Sequence, residues 1–430
     1  MFKSFCSVFC FLFHAECSIT RRCLKHGFKS LVKLLIVFSL FCLYSCKKSQ
    51  TAELFNREQR FRLNYGNFEN ELNLFDISTN SDVNTSVCMQ DGFIYISNGK
   101  AKKVMQFTSY GDLLRIFYNP DTNPTPSFML SENLLDSKQT TQSAIPYKFN
   151  MPGNIAVDSE KNLYVVDRLP QDRQEQDLEN NLLLRDVVLR FAKDGTFIDY
   201  LGQHGPGGIP FSFIENIYTT SNNELVVTCL TNTGYAVSWF NKDGFLLYSV
   251  LIDSAAMPLV EDKNDCFVSL DGVVPSYKEH SLFVKADYYL CEIDVQSGVQ
   301  TGISYEGTYL YTLNLDTETY DEPLAIPGYE VIVNEYAEKA TYSKALDFLG
   351  VTDSGWFFFM TPVDKGYVVE IIQKNRQKLI RKILSVSDDE LVFNNFSLSK
   401  DGIITAILAN EVEASVVWWR TDAVIDALIK

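Results

Sequence analysis

A pair of strand-like runs around a tight turn recurs through this chain in fixed register. NTSVCMQDGFIYISNG (84–99) returns as NIAVDSEKNLYVVDRL (154–169) and NIYTTSNNELVVTCLT (216–231). It returns again as DFLGVTDSGWFFFMTP (347–362) and NNFSLSKDGIITAILA (394–409). In each copy a short amide or acid (Asn84, Asn154, Asn216, Asp347, Asn394) lies eight residues before a turn-ending residue, and a β-branched, aromatic and aliphatic run follows. Such self-similarity constrains the fold more than any other feature here, because each repeat must bury its faces against its neighbours.

The second half of each repeat completes the unit. RDVVLRFAKDGTFIDYLG (185–202) and AVSWFNKDGFLLYSVLID (236–253) each place two strand-like runs around Asp-Gly, as do KVMQFTSYGDLLRIFY (103–118) and YVVEIIQKNRQKLIRKIL (367–384) around other turns. Asp194-Gly195 and Asp243-Gly244 supply the positive φ that a tight hairpin demands. Each repeat is then a four-stranded antiparallel meander, and the expected fold is an all-β, six-bladed β-propeller. Its blades fall near 84–118, 151–202, 215–253, 259–327, 347–384 and 394–430. The run MPGNIAVDSEKNLYVVDR followed by VVLRFAKDGTFIDYLG resembles an NHL repeat, a unit of six-bladed propellers; blades five and six keep only its hydrophobic skeleton.

Two blades are irregular in sequence. In blade four, CFVSLDG (266–272) reads as an inner strand with Pro275 interrupting what should follow it, and SLFVKADYYLCEIDVQSG (281–298) reads equally as a second and a third strand. Blade six runs out of chain after SVVWWRTD, so REQRFRLNYG (57–66) is expected to supply its missing outer strand and close the ring. Closure from both termini removes exposed sheet edges.

Residues 1–45 carry a different chemistry. They hold six Lys/Arg and one acid and end in the apolar run from Leu34 to Tyr44. A basic region followed by a short apolar run and a small residue is an export signal, and eleven apolar residues fall short of the ~20 a spanning helix needs. Leu43-Tyr44-Ser45-Cys46 resembles a bacterial lipobox, with Tyr44 departing from its small-residue pattern; the resemblance implies lipidation of Cys46. Residues 46–56 then form a tether, 57–430 a single propeller domain, and the protein sits on the cell envelope, at the periplasmic side or outer surface. No Met follows Met1 before Cys46, which suggests a translation start nearer Leu24.

Beyond residue 45 the chain carries 32 basic against 53 acidic residues, a formal charge of −21. That surface repels nucleic acid phosphates. Cys88 and Cys229 lie in apolar strand patterns and read as core residues; a Cys266–Cys291 bridge is conceivable in blade four, and no CxxC spacing marks a zinc site. No cofactor motif is present.

The residues that break the repeat are unevenly placed. In a meander, second-to-third connections and inter-blade links leave on one face of the disc. The long segments 119–149, 169–184, 203–213 and 320–346 all belong to that class, and scaffolds present function on such loops. Binding of a protein partner or a small ligand by a monomer is therefore expected there. The ring of Asn84, Asn154, Asn216, Asp347 and Asn394 either converges on a ligand at the channel mouth or satisfies backbone groups where inner strands begin, and its recurrence favours the structural role. Arg168 and His204 are further candidates on this face. The alternative function is a propeller hydrolase or lyase with a channel-mouth metal site. The sequence past residue 45 offers two histidines, one ring carboxylate and no DxDxDG, HExxH or GxSxG motif.

Overall fold

The computed structural model describes residues 53–429 apart from 75–83, 132–140, 179–180, 204, 206–207, 261–262, 264, 336–337 and 374–377. Cys46, the export signal and His204 lie outside the described residues.

Six four-stranded antiparallel sheets form the ring of a β-propeller. Blade one contains Thr85–Gln90, Phe93–Asn98, Lys103–Phe107 and Leu113–Tyr118 from the axis outward. Blade two contains Pro152–Val157, Leu163–Arg168, Asp186–Phe191 and Phe197–Leu201, and blade three Phe213–Thr219, Leu225–Leu230, Gly234–Phe240 and Leu246–Asp253. Blade five contains Asp347–Val351, Trp356–Val363, Gly366–Gln373 and Lys378–Ser385. The Asp-Gly turns behave as their chemistry demands: Gly195 sits at φ 94° and Gly244 at φ 89°. A side chain on Gly244 would strike the guanidinium of Arg190, which donates to the carbonyls of Lys242 and Asp243 beneath that turn.

Blade six takes three strands from the C-terminal region, Phe393–Leu398, Ile403–Ala409 and Glu413–Arg420. Arg57–Asn64 adds the fourth, antiparallel to Glu413–Arg420 from Arg57 opposite Trp419 to Asn64 opposite Glu413. The closure expected from REQRFRLNYG is thus present, and the chain then ends in the helix Thr421–Ile429. Order begins before residue 57: Glu53–Leu54 runs parallel to the outer strand of blade five, opposite Lys382 and Ile383.

Blade four corrects the sequence reading. Its inner strand is Phe267–Pro275, so it runs past residue 272 and takes in Pro275 as its last residue. Ser281–Ile293 is one continuous second strand of 13 residues, not two strands, and Gln300–Asn314 is a third strand of 15. Thr319–Tyr320 and Leu324–Ile326 share the outer position. Cys266 and Cys291 are free thiols, so the conceivable bridge is absent. Cys229 is buried as expected, whereas Cys88 is partly exposed at the channel wall.

Each of the six seams between blades has its own apolar core, as stacked sheets with two buried faces require. Leu63, Met105, Phe107, Val416 and Trp418 belong to the seam between blades six and one. The seam between blades four and five is the poorest, with six buried apolar residues that include Leu310, Phe357 and Phe359. It also buries charge: Lys285 and Glu370, both on strands facing it, have no exposed surface.

Candidate functional site

The inner strands of all six blades enclose a cavity of about 410 Å³ on the propeller axis. Its polar wall includes Ser86, Asn154, Glu215, Asn216, Asn395 and Ser397, and it reaches Gln90, Tyr277 and Lys400 near the first hairpin turns. At that end adjacent blades are tied turn to turn. Asp91 of blade one pairs with Lys161 of blade two and with Lys400 of blade six, the latter at 3.2 Å. Ser159 N–H donates to Asn223 Oδ1 at 3.0 Å, Ser221 N–H to the Tyr277 carbonyl at 2.9 Å, and Asp353 N–H to the Lys400 carbonyl at 2.9 Å. These contacts join every neighbouring pair except blades four and five.

The ring read from the sequence is only partly assembled. Asn154 and Asn216 face the cavity. The Asn154 amide donates to the Glu215 carbonyl, bridging blades two and three, and Asn216 Nδ2 donates to Tyr218 Oη at 3.1 Å. Asn84, Asp347 and Asn394 are not among the residues lining the cavity; Asn84 accepts from Gly99 N–H through its backbone carbonyl.

The cause of the slip lies in the turns. Asp158, Thr220, Thr352 and Ser399 use side-chain oxygens to accept from the backbone N–H four residues on, at Asn162, Glu224, Trp356 and Ile403. Counting to a glycine in blades five and six stops one residue short of this cap register. A shift of one residue moves a side chain to the other face of a strand. Asn395, not Asn394, is therefore the counterpart of Asn154 and Asn216; its Oδ1 accepts from Val87 N–H at 2.9 Å and ties blade six to blade one. In blade five the same slot holds Phe348, four residues before Thr352. Asn154 and Asn395 thus tie neighbouring blades together, whereas Asn216 bonds within its own blade.

Arg168 does not reach the cavity. It ends the second strand of blade two beside Arg185, both near Asp186, whose Oδ2 accepts from Ile214 N–H at 3.1 Å. Burial pushes the Asp186 carboxyl up, opposed by that hydrogen bond and by the two guanidinium groups.

Two carboxylates that the sequence reading passed over stand where the inner strands bulge. Glu215 is the extra residue between the Ile214–Cys229 and Asn216–Thr228 pairs, and Asp271 the extra residue between Leu270–Ala286 and Gly272–Lys285. A bulge re-aims a side chain. Burial raises the Glu215 pKa; Tyr235 Oη, donating at 3.1 Å, opposes this and the charge of Asp271 adds to it. Burial also raises Asp271, opposed by the Lys285 ammonium at 2.6 Å and reinforced by Asp287 and Asp347. The Asp271 side chain nonetheless keeps 38% exposure, so it stands at a wet rim. This sector favours positive charge. Among the described residues, no group of three or more His, Cys, Asp or Glu is placed to hold a metal ion.

The long-loop face carries more structure than the loop lengths suggested. Segment 119–149 contains the short helix Ser127–Ser131 and a fifth strand, Ser143–Pro146, parallel to the edge of blade one. Segment 169–184 forms a small hairpin from Glu175–Asp177 and Leu182–Leu184. Segment 320–346 contains a longer one from Tyr329–Glu335 and Glu338–Lys344. A third hairpin, absent from the sequence reading, is the extension of blade four from 289 to 306. Its sign in the sequence is two long runs of strand formers on either side of the turn at 294–298, which hide a long connection as regular strand.

Comparison with solved structures gives distant likeness. The protein is similar to a gluconolactonase from Xanthomonas campestris at 10% identity and TM-score 0.39, covering 87% of this chain and 99% of that one. It is similar to an ulvan lyase at 11% identity and TM-score 0.38, covering 85% and 83% of the two chains. A structure described as the Dos1 propeller gives 9% identity and TM-score 0.38, covering 81% and 82%. Likeness this distant carries no argument about activity. No protein-family model matches the chain, and no curated protein matches it.

Proposed function

We propose that this protein is a lipid-anchored, extracytoplasmic β-propeller of NHL-like repeats that binds a protein partner through its long-loop face. One observation carries the reading: three β-hairpins project from connections that a meander places on one face, and they bear exposed apolar side chains. Leu178 and Leu183 belong to the blade-two hairpin, Ile293, Val295 and Ile303 to the blade-four hairpin, and Tyr342 to the hairpin before blade five. Exposed apolar groups gathered on one face mark an interaction surface more often than singly scattered ones do. The opposite face is built from tight turns bonded to one another.

The anchor rests on the basic and apolar run before Ser45-Cys46. Cys46→Ala is expected to abolish incorporation of labelled fatty acid; undiminished labelling would remove the anchor from the proposal. For the face, affinity capture from native envelope is compared between the wild type and a chain with both 176–183 and 291–303 replaced by short turns. Loss of a reproducible partner supports the reading, and retention of the same partners overturns it.

A further inference from the structure

We propose that the blade-four hairpin docks a basic amphipathic segment of the partner, through an apolar sheet face bordered by acidic residues. The inference rests on the long-loop reading above and specifies its chemistry.

The register defines the face. Phe267 pairs with Tyr289, Tyr289 with Tyr305, and Cys291 with Ile303, so these side chains emerge on one side of the extension. The Phe267 and Tyr289 rings stack at 5.6 Å, and Tyr289 meets Tyr305 edge-on at 5.9 Å. Beyond these rings the apolar groups are open to solvent: Ile303 is 56% exposed, Ile293 60%, Val299 60% and Val295 99%. Strands of a soluble protein usually alternate so that such groups face a core. Here the strand pairing continues past the blade, carrying the apolar side with it and leaving no core beneath it.

Charge chooses the occupant. From residue 286 to residue 338 the sequence contains eleven Asp or Glu and no Lys or Arg. Glu292, Asp294 and Glu306 lie on the hairpin itself; Lys263 approaches Glu306 at 3.2 Å. Asp294 also accepts from the backbone N–H groups of Gln296 and Ser297, which fixes the tip. An apolar centre with an anionic border complements an apolar segment flanked by lysine or arginine. A second copy of this acidic surface would meet repulsion, and so would an anionic bilayer.

Two synthetic peptides of identical apolar pattern test the proposal, one with lysines between the apolar positions and one with glutamates. Binding to the folded, non-lipidated protein is followed by fluorescence anisotropy. The lysine peptide is expected to bind at least tenfold more tightly, with the advantage shrinking as salt rises. Ile293→Ser with Val295→Ser and Ile303→Ser, all exposed positions, is expected to weaken it at least tenfold, and Glu292→Gln with Glu306→Gln to flatten the salt dependence. Equal affinity for both peptides, or lysine-peptide binding that the serine variant leaves intact, overturns the proposal. If shortening the blade-two hairpin abolishes partner capture while the blade-four variants do not, the long-loop reading stands and this inference fails.

Discussion

Two seams of the ring solve the same packing problem in opposite ways. Between blades six and one, the N-terminal strand supplies Leu63 to a large apolar core, and the Phe61 ring packs tilted against Phe107 with centroids 5.2 Å apart. Between blades four and five, the apolar core is small and a polar network fills the space. Each region also contains a lysine with no exposed surface, Lys103 in blade one and Lys285 in blade four. Lys103 Nζ donates to the Phe68 carbonyl at 2.6 Å. Lys285 Nζ donates to both Asp271 and Asp287 at 2.6 Å, and Asp287 in turn accepts from Thr308 Oγ1. A buried charge with a neutral partner is a cost the apolar seam can carry, whereas a buried triad is mutually dependent.

The largest expected effect follows from that dependence. Lys285→Met leaves Asp287, 3% exposed, without its counter-charge. Breaking a buried pair on one side costs about 3–5 kcal/mol. Urea denaturation should show that loss, and adding Asp287→Asn should recover more than half of it. No recovery would mean that packing, not charge, holds this seam.

Lys103 gives the contrasting test, with pH as the variable. Burial depresses its pKa to about 8, partly offset by Glu71 and Glu69. Between pH 8 and the unfolded-state value the native protein binds fewer protons than the unfolded chain, so stability rises with pH over that window. The penalty, roughly 3 kcal/mol, is fully present below pH 8 and gone above the unfolded value. Lys103→Met removes that penalty, so it should abolish the rise measured by denaturation between pH 8 and 10 and leave stability at pH 7 equal to or above that of the wild type. A variant that keeps the rise would assign it to another group.

The same contrast explains what was legible in the sequence. Blades two and three announce themselves through Asp194-Gly195, Asp243-Gly244 and their apolar runs, because a tight turn between half-buried strands leaves a local mark. The closing strand was also readable, since blade six visibly lacks a fourth run. Blade four was misread because its second and third strands continue past the blade, and propensity alone does not say where a sheet stops being covered. Asn394 stood in for Asn395 because the positive-φ position of the same turn holds Lys161 and Asn223 in blades two and three but Gly355 and Gly402 in blades five and six, so counting back from the glycine lands one residue early. Glu215 and Asp271 escaped notice for a related reason: a bulge adds one residue in space without any composition that marks it.

The closing strand offers a smaller effect that probes the strapped side. Arg57 donates to Glu390 with both terminal nitrogens, at 2.6 and 2.5 Å. This contact, at the start of the closing register of blade six, holds the Glu390 carboxyl below its usual range. A carboxyl with a depressed folded pKa contributes stability that is present above its unfolded value and lost as pH falls through the folded one. Arg57→Ala should cost about 1 kcal/mol near pH 7, as for a partly buried bidentate pair, and progressively less below pH 4.5. A cost that persists undiminished into acid would trace the effect to the strand's packing.

The smallest stability effect belongs to the blade-four hairpin, and its size is the point. Val295, Ile293 and Ile303 are solvent-exposed on an extension beyond the blade, so serine at all three positions removes little buried surface. Surface substitutions away from special features stay within about 0.5 kcal/mol. Thermal unfolding should therefore barely distinguish the triple variant from the wild type, in contrast to Lys285→Met in the same blade. If instead the variant unfolds several degrees lower, those side chains are covered within the protein and the apolar face is part of its own core. Unchanged stability leaves their exposure to be explained by what they meet outside the chain.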